Sequence, residues 1–164
     1  MAFAEDLLEQ AQHLARREKN KPRQASLRRA VSTAYYAMFH LLITEAARNW
    51  KWPSHRRTFE RFFEHGKMKA ASEKQRVALN AYLKTKPRES PQLVVARHLY
   101  AVADTFFQMQ QQRNIADYDS STKWSRTETL KRVDSVAAAF ESWKAIRRDA
   151  TAQQYLLSLL IKDR

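Results

Sequence analysis

The sequence predicts an all-α protein, a single-domain antiparallel bundle of about five to six helices. Three observations carry this. One glycine, Gly66, and four prolines in 164 residues leave little material for tight hairpin turns. Apolar residues recur at helical spacing along most of the chain. The stretch AYYAMFHLLI, residues 34–43, is apolar or aromatic on every face, and only a helix surrounded by others can bury such a segment. No Gly-, Ser- or Pro-rich linker divides the chain, so residues 1–164 read as one domain.

The elements follow in order. AFAEDLLEQAQHLARRE sets Leu7, Leu8, Ala11, Leu14 and Ala15 on one face, with acids early and bases late, as the helix dipole favours. Pro22 in KNKPRQ breaks that helix. The central helix runs from about Arg23 to Trp50. SHRRTFERFFEHGK reads as a shorter helix with Phe59, Phe62 and Phe63 inward, ending near Gly66. Ser72 to Gln75 matches a capping box that opens another helix, with Val77, Leu79, Tyr82 and Leu83 inward. After the loop TKPRESP, Ser90 as N-cap and Pro91 in the first turn start a helix that runs to about Arg113. Ser125 to Glu128 is a second capping box, opening a helix through Val133, Phe140, Trp143 and Ile146. Residues 150–162 form an additional apolar helix, covering this subunit or part of a dimer face.

Composition also bounds function. The net charge is +13, and it is uneven: residues 1–90 hold 19 basic and 9 acidic residues, net +10, against 11 and 8, net +3, in residues 91–164. Such an excess fits a polyanionic partner, because neutralising phosphates releases counterions; a merely solubilising surface is the plainer reading. The absence of cysteine removes disulfides and thiolate chemistry and fits a cytoplasmic protein. The N-terminal stretch MAFAEDLLEQ lacks the basic flank of a signal peptide, and no apolar run approaches the ~18 residues needed to span a bilayer, so no membrane is expected.

Catalytic motifs are scarce. There is no HExxH, no paired Glu and ExxH pattern, no G-x-S-x-G elbow and no phosphate-cradling glycine loop, so neither a metal nor another cofactor is expected. His40 lies inside an apolar helix, where a satisfied core histidine is the ordinary case and a cleft-facing one the alternative. Tyr35, Tyr36 and Phe39 are core aromatics first and a base-stacking platform second. The run RREKNKPRQASLRR, residues 16–29, holds seven basic residues against one acid, and Arg28 and Arg29 could pair with phosphates. His55, Arg56, Arg57 and Arg61 make a second basic surface. The stretch RNIADYD, residues 113–119, crowds an arginine, an amide and two aspartates around a tyrosine near a helix end. Taken physically it is either an ion-paired structural corner, with Asp117 and Tyr118 closing the bundle, or an anion-binding one.

The pair RAVSTAYYAMFHLLI (29–43) and RNIADYD (113–119), with HRRTFERFF between and AAAFESW after, resembles the HEPN superfamily of nucleotide-binding helical domains over residues 5–148. The resemblance implies a homodimer, RNA or a nucleotide as ligand, and, as for many members, a minimal nucleotidyltransferase partner in a toxin–antitoxin or defence pair. Many HEPN domains resemble metal-independent endoribonucleases with an R-x(4–6)-H motif. By that resemblance Arg113 matches the motif arginine and Asn114 the polar residue after it, while Tyr118, Asp119 and Ser120 stand where the histidine belongs. The departure matters chemically. Histidine populates both protonation states near pH 7, whereas a phenol that ionises near pH 10 is a poor base and a carboxylate a weak one.

The leading expectation is therefore a HEPN-type module that binds RNA or a nucleotide with its nuclease motif degenerate, using Arg28, Arg29, Arg56, Arg57 and Arg113 as anion contacts. One alternative is an active endoribonuclease toxin in which Arg113 works with Asn114 and with Tyr118 or His40 as substitute acid/base. Another is a purely structural interaction bundle.

Overall fold

The computed structural model describes residues 2–161. They form an all-α bundle: α1 (Ala2–Arg16), α2 (Gln24–Arg48), a 3-10 turn (Pro53–His55), α3 (Arg56–Glu60), α4 (His65–Lys84), α5 (Pro91–Tyr118), α6 (Arg126–Ile146) and α7 (Ala150–Ser158). Among the described residues there is no strand, and no helix is long and apolar enough to cross a membrane. The described residues hold seven α-helices rather than five to six, with the short segments 56–60 and 150–158 counted among them.

The chain gathers into two compact units. One holds residues up to Leu41 together with Gln108–Ala138; the other holds Leu42–Phe107 and the residues from Ala139 onward. The boundary falls inside α2, α5 and α6.

Helix α2 is enclosed as its sequence requires. Residues from Ala30 to Tyr35 and from Ala37 to Phe39 are buried, and Tyr36 and His40 are half-buried. Within the first unit, Leu14 and Ala15 of α1 pack with Ala30 of α2, and Leu130 of α6 closes against them. Polar residues on α2 fix how its neighbours pass. The Gln24 amide pairs with both backbone groups of Trp124, donating to its carbonyl and accepting from its N–H, each at 2.8 Å. Ser32 donates to Asp117 and the Tyr36 hydroxyl accepts from Arg113, so α2 and α5 run antiparallel here. Glu18, between α1 and α2, accepts from the Ser26 hydroxyl at 2.7 Å and from the Arg23 N–H, satisfying donors at the start of α2.

In the second unit the organising group is Glu45. Its side chain is only 4% exposed. Its carboxylate accepts from the Trp143 indole N–H at 2.9 Å, from Arg147 through Nε at 3.1 Å and a terminal nitrogen at 2.7 Å, and from Arg48 at 2.8 Å. Tyr155 of α7 is buried and its hydroxyl meets that of Ser72 at 2.7 Å. Burial holds the Tyr155 phenol above its usual range, with the Ser72 hydrogen bond working weakly the other way.

Several local expectations give way to tertiary packing. Gly66 does not end a helix: it has no positive φ, and it lies in the first turn of α4, which begins at His65. Ser72 is not an N-cap but an interior residue of α4, held by Tyr155. Phe63 points inward, whereas Phe62, Val77 and Tyr82 are exposed. Helix α5 continues past Arg113 to Tyr118. Helix α7 stops at Ser158, followed by tighter i→i+3 bonds at Leu160 and Ile161; Lys162, expected within that helix, lies outside the described residues. Two caps form as the sequence predicts, with the Ser90 hydroxyl accepting from Leu93 N–H and the Ser125 hydroxyl from Glu128 N–H.

The Glu45 cluster generates a stability prediction. Glu45→Ala strands a buried indole N–H and takes from Arg147 its carboxylate partner, so it lowers unfolding free energy by about 3 kcal/mol in urea denaturation. Arg48→Ala removes a more exposed partner and changes it by about 1 kcal/mol or less.

Candidate anion-binding corner

The candidate site lies in the first unit, where the last turns of α5 meet α2. Helical spacing places Arg113 and Asp117 one turn apart on one face of α5. The same spacing on α2 presents Ser32 and Tyr36 to them. The sequence groups Arg113 with Asn114 and Asp117 by spacing, and the structure adds Tyr35 and Tyr36, which were expected only as core or stacking aromatics.

The Arg113 side chain is 14% exposed. Its guanidinium carbon sits 5.3 Å from the Tyr35 ring centroid and 5.5 Å from that of Tyr36, within cation–π range of both. One terminal nitrogen donates to the Asn114 side-chain oxygen at 3.0 Å and the other to the Tyr36 hydroxyl at 3.3 Å. The Asp117 carboxylate stands 3.7 Å from Nε, an ion-pair distance but too long for a hydrogen bond, and the buried Nε has no hydrogen-bond partner. That Nε is closed off from solvent, so it is a donor the fold leaves unsatisfied. Burial holds the Tyr35 phenol above its usual range, although the Arg113 charge pulls it down.

The other predicted residues are placed differently. Tyr118 closes α5 and is 78% exposed. His40 is half-buried, its ring edge-on to Phe3 at 4.8 Å and to Phe39 at 5.4 Å. Burial pushes its imidazole below the usual histidine range, so it is neutral at pH 7. Arg28 is engaged by the backbone: its guanidinium donates to the carbonyls of Ala116 at 2.9 Å, Asp119 at 2.7 Å and Thr122. Those acceptors include the C-terminal end of α5, where a cation also suits the helix dipole. Arg29 is exposed. Arg56 and Arg57 belong to the second unit; Arg56 donates to the carbonyls of Arg48 and Trp50 at the end of α2, and Arg57 is exposed.

Asp119 makes the turn that follows. Its carboxylate accepts from the Ser121 hydroxyl, the Thr122 hydroxyl at 2.7 Å and the Ser121 N–H at 2.9 Å. These bonds, led by the Ser121 hydroxyl, push its pKa down to about 2. Among the described residues no group of His, Asp and Glu side chains is placed to hold a metal ion.

No family model, no curated protein and no solved structure matches this chain.

One contributor is missing from the sequence reading: Ser32 looks like an ordinary helix polar, and only its four-residue spacing with Tyr36 signals a shared role.

Two predictions follow from the placement of Arg28 and His40. Arg28→Ala uncovers carbonyls at the end of α5 and lowers stability by about 2 kcal/mol in chemical denaturation, with Arg28→Lys recovering only part of it. His40 has a folded pKa below its unfolded value near 6.5, so the unfolded chain binds the extra proton and stability falls as pH drops through about 6.5. Melting temperatures between pH 8 and 5 should show this slope, and His40→Gln should flatten it.

Proposed function

We propose that this chain is a HEPN-type helical module that binds RNA or a nucleotide through the corner at Arg113, as a homodimer and beside a minimal nucleotidyltransferase in a toxin–antitoxin or defence pair, with its ribonuclease motif degenerate. The observation that carries the reading is the Arg113 guanidinium. It is oriented by two tyrosine rings and Asn114, and it is incompletely balanced by Asp117 in a site that is mostly shielded from water. A cation fixed in this way loses little freedom when it meets a phosphate. The net charge of +13 supports a polyanionic ligand.

Binding fits better than cleavage. Transfer through a ribose 2′-OH needs a group that can take the proton. Tyr118, in the motif's histidine position, leaves most of its surface to solvent at the helix end. His40 is already neutral, but its ring is wedged against Phe3 and Phe39. The depth of Arg113 and its pairing with Asp117 favour a second reading, in which it only locks α5 to α2.

One experiment separates these. Labelled mixed-sequence RNA and radiolabelled nucleotides are incubated with the protein in EDTA at low and moderate salt, beside Arg113→Ala and Arg113→Lys. The expected result is salt-dependent binding without cleavage, weakened about ten-fold or more by Arg113→Ala. A loss of melting temperature with unchanged affinity would transfer Arg113 to the structural reading. Cleavage that vanishes in Arg113→Ala would replace the binding module by a ribonuclease.

A further inference from the structure

Residues 49–62, NWKWPSHRRTFERF, hold Lys51, Arg56, Arg57 and Arg61 against a single carboxylate, Glu60, and also three large aromatic side chains that the fold leaves open. Trp50 is 44% exposed, Trp52 58% and Phe62 67%. Burying them would have been the ordinary outcome for a chain of this composition. All belong to the second unit.

The segment is held rather than loose. Arg56 donates to the carbonyls of Arg48 and Trp50, tying the short α3 back to the end of α2. Trp50 stacks on Phe59, with centroids 5.4 Å apart and planes 22° apart, and Phe59 meets the buried Phe63 edge-on at 5.7 Å. One face of the Trp50 indole is therefore backed by a ring, while the side chain remains open to solvent. Trp52 is extended before Pro53, and the Lys51 ammonium sits 5.5 Å from its ring centroid. Arg57 and Arg61 are exposed beside them.

We propose that this surface binds single-stranded nucleic acid, with bases stacked on Trp50 and Trp52 and the backbone held by Lys51, Arg57 and Arg61. Rigid, exposed rings among cations are what an unpaired strand requires, because every base has a π-face and every linkage a negative charge. A duplex presents no free base faces and makes only the charge contacts. Exposed tryptophans and arginines also occur in protein interfaces, and what favours a polyanionic strand is the imbalance of four cations against one carboxylate. The inference shares with the proposed function a nucleic-acid ligand but uses none of the residues at Arg113, so each can fail alone.

The test uses tryptophan emission. The chain has four tryptophans; Trp124 and Trp143 are buried, so quenching by bases reports on Trp50 and Trp52. The full-length protein is titrated with a twelve-nucleotide oligo(U), with oligo(dT) of equal length, and with a duplex of equal length, at two salt concentrations. Trp52→Ala, Arg57→Ala with Arg61→Ala, and Arg113→Ala are run in parallel, with circular dichroism confirming each fold. The two single strands should quench emission and bind more tightly than the duplex. Trp52→Ala should weaken single-strand binding about 5- to 100-fold, and the double arginine variant should lower the salt dependence. Oligo(U) preferred over oligo(dT) would assign the strand to RNA, and equal binding to either polymer. Equal affinity for duplex and single strand, or loss of binding in Arg113→Ala with Trp52→Ala unaffected, would overturn the platform while leaving the Arg113 site standing. The reverse pattern would retain the platform and remove the Arg113 site. No binding by any strand, with Trp52→Ala instead dissolving a self-associated species in sedimentation, would also overturn it and assign the patch to a second copy of the chain.

Discussion

The first unit depends on a row of polar residues along α2 at intervals of four: Gln24, Arg28, Ser32, Tyr36 and His40. A four-residue repeat on a helix of 3.6 residues per turn advances by about 40° per step, so the row winds slowly round the helix instead of lying on one face. Its members accordingly meet different parts of the chain: Trp124, the carbonyls of residues 116–122, Asp117, Arg113, and finally Phe3 of α1. Apolar packing would hold α2 and α5 together in several registers. The polar row selects one, because a shifted register would leave the buried Ser32 and the partly buried guanidinium of Arg28 without their acceptors.

The candidate corner is a by-product of that selection. Arg113 and Asp117 answer Tyr36 and Ser32, so the residues that fix the register also create a shielded cation. In the second unit Glu45 does comparable work for α2, α6 and the start of the α6–α7 connection, gathering an indole and two guanidinium groups on one buried carboxylate. One long helix thus carries the polar row from Gln24 to His40, running into the apolar stretch 34–43, and Glu45 just beyond that stretch.

What the sequence reveals and what it hides divide by range. Fold class and the caps at Ser90 and Ser125 were legible because periodicity and capping are settled within a few residues. Ser72 carries the same local signature as Ser125, yet its hydroxyl is taken by Tyr155, 83 residues away, and the helix starts a full two turns earlier. Arg28 reads as one more charge in a basic run, because nothing nearby in sequence says that the carbonyls of residues 116–122 will surround it. Glu45 has the same difficulty, with partners about a hundred residues on. At the corner, the grouping of Arg113 with Asn114 and Asp117 was visible from spacing alone, while the depth at which the guanidinium sits was not. Phe62 failed as a core residue because the short α3 ends before its face is completed.

The polar row also determines where this chain can change length. An extra residue within α2 between Arg28 and Ser32 would rotate everything beyond it by about 100°, carrying Ser32, Tyr36 and His40 away from their partners together. The connection between α5 and α6 has no such constraint at its exposed positions, Ser120 and Lys123, provided that the carbonyls reached by Arg28 stay in place. Relatives of this protein should therefore differ in length beyond Asp119 and keep an uninterrupted spacing from Gln24 to His40, whatever they bind.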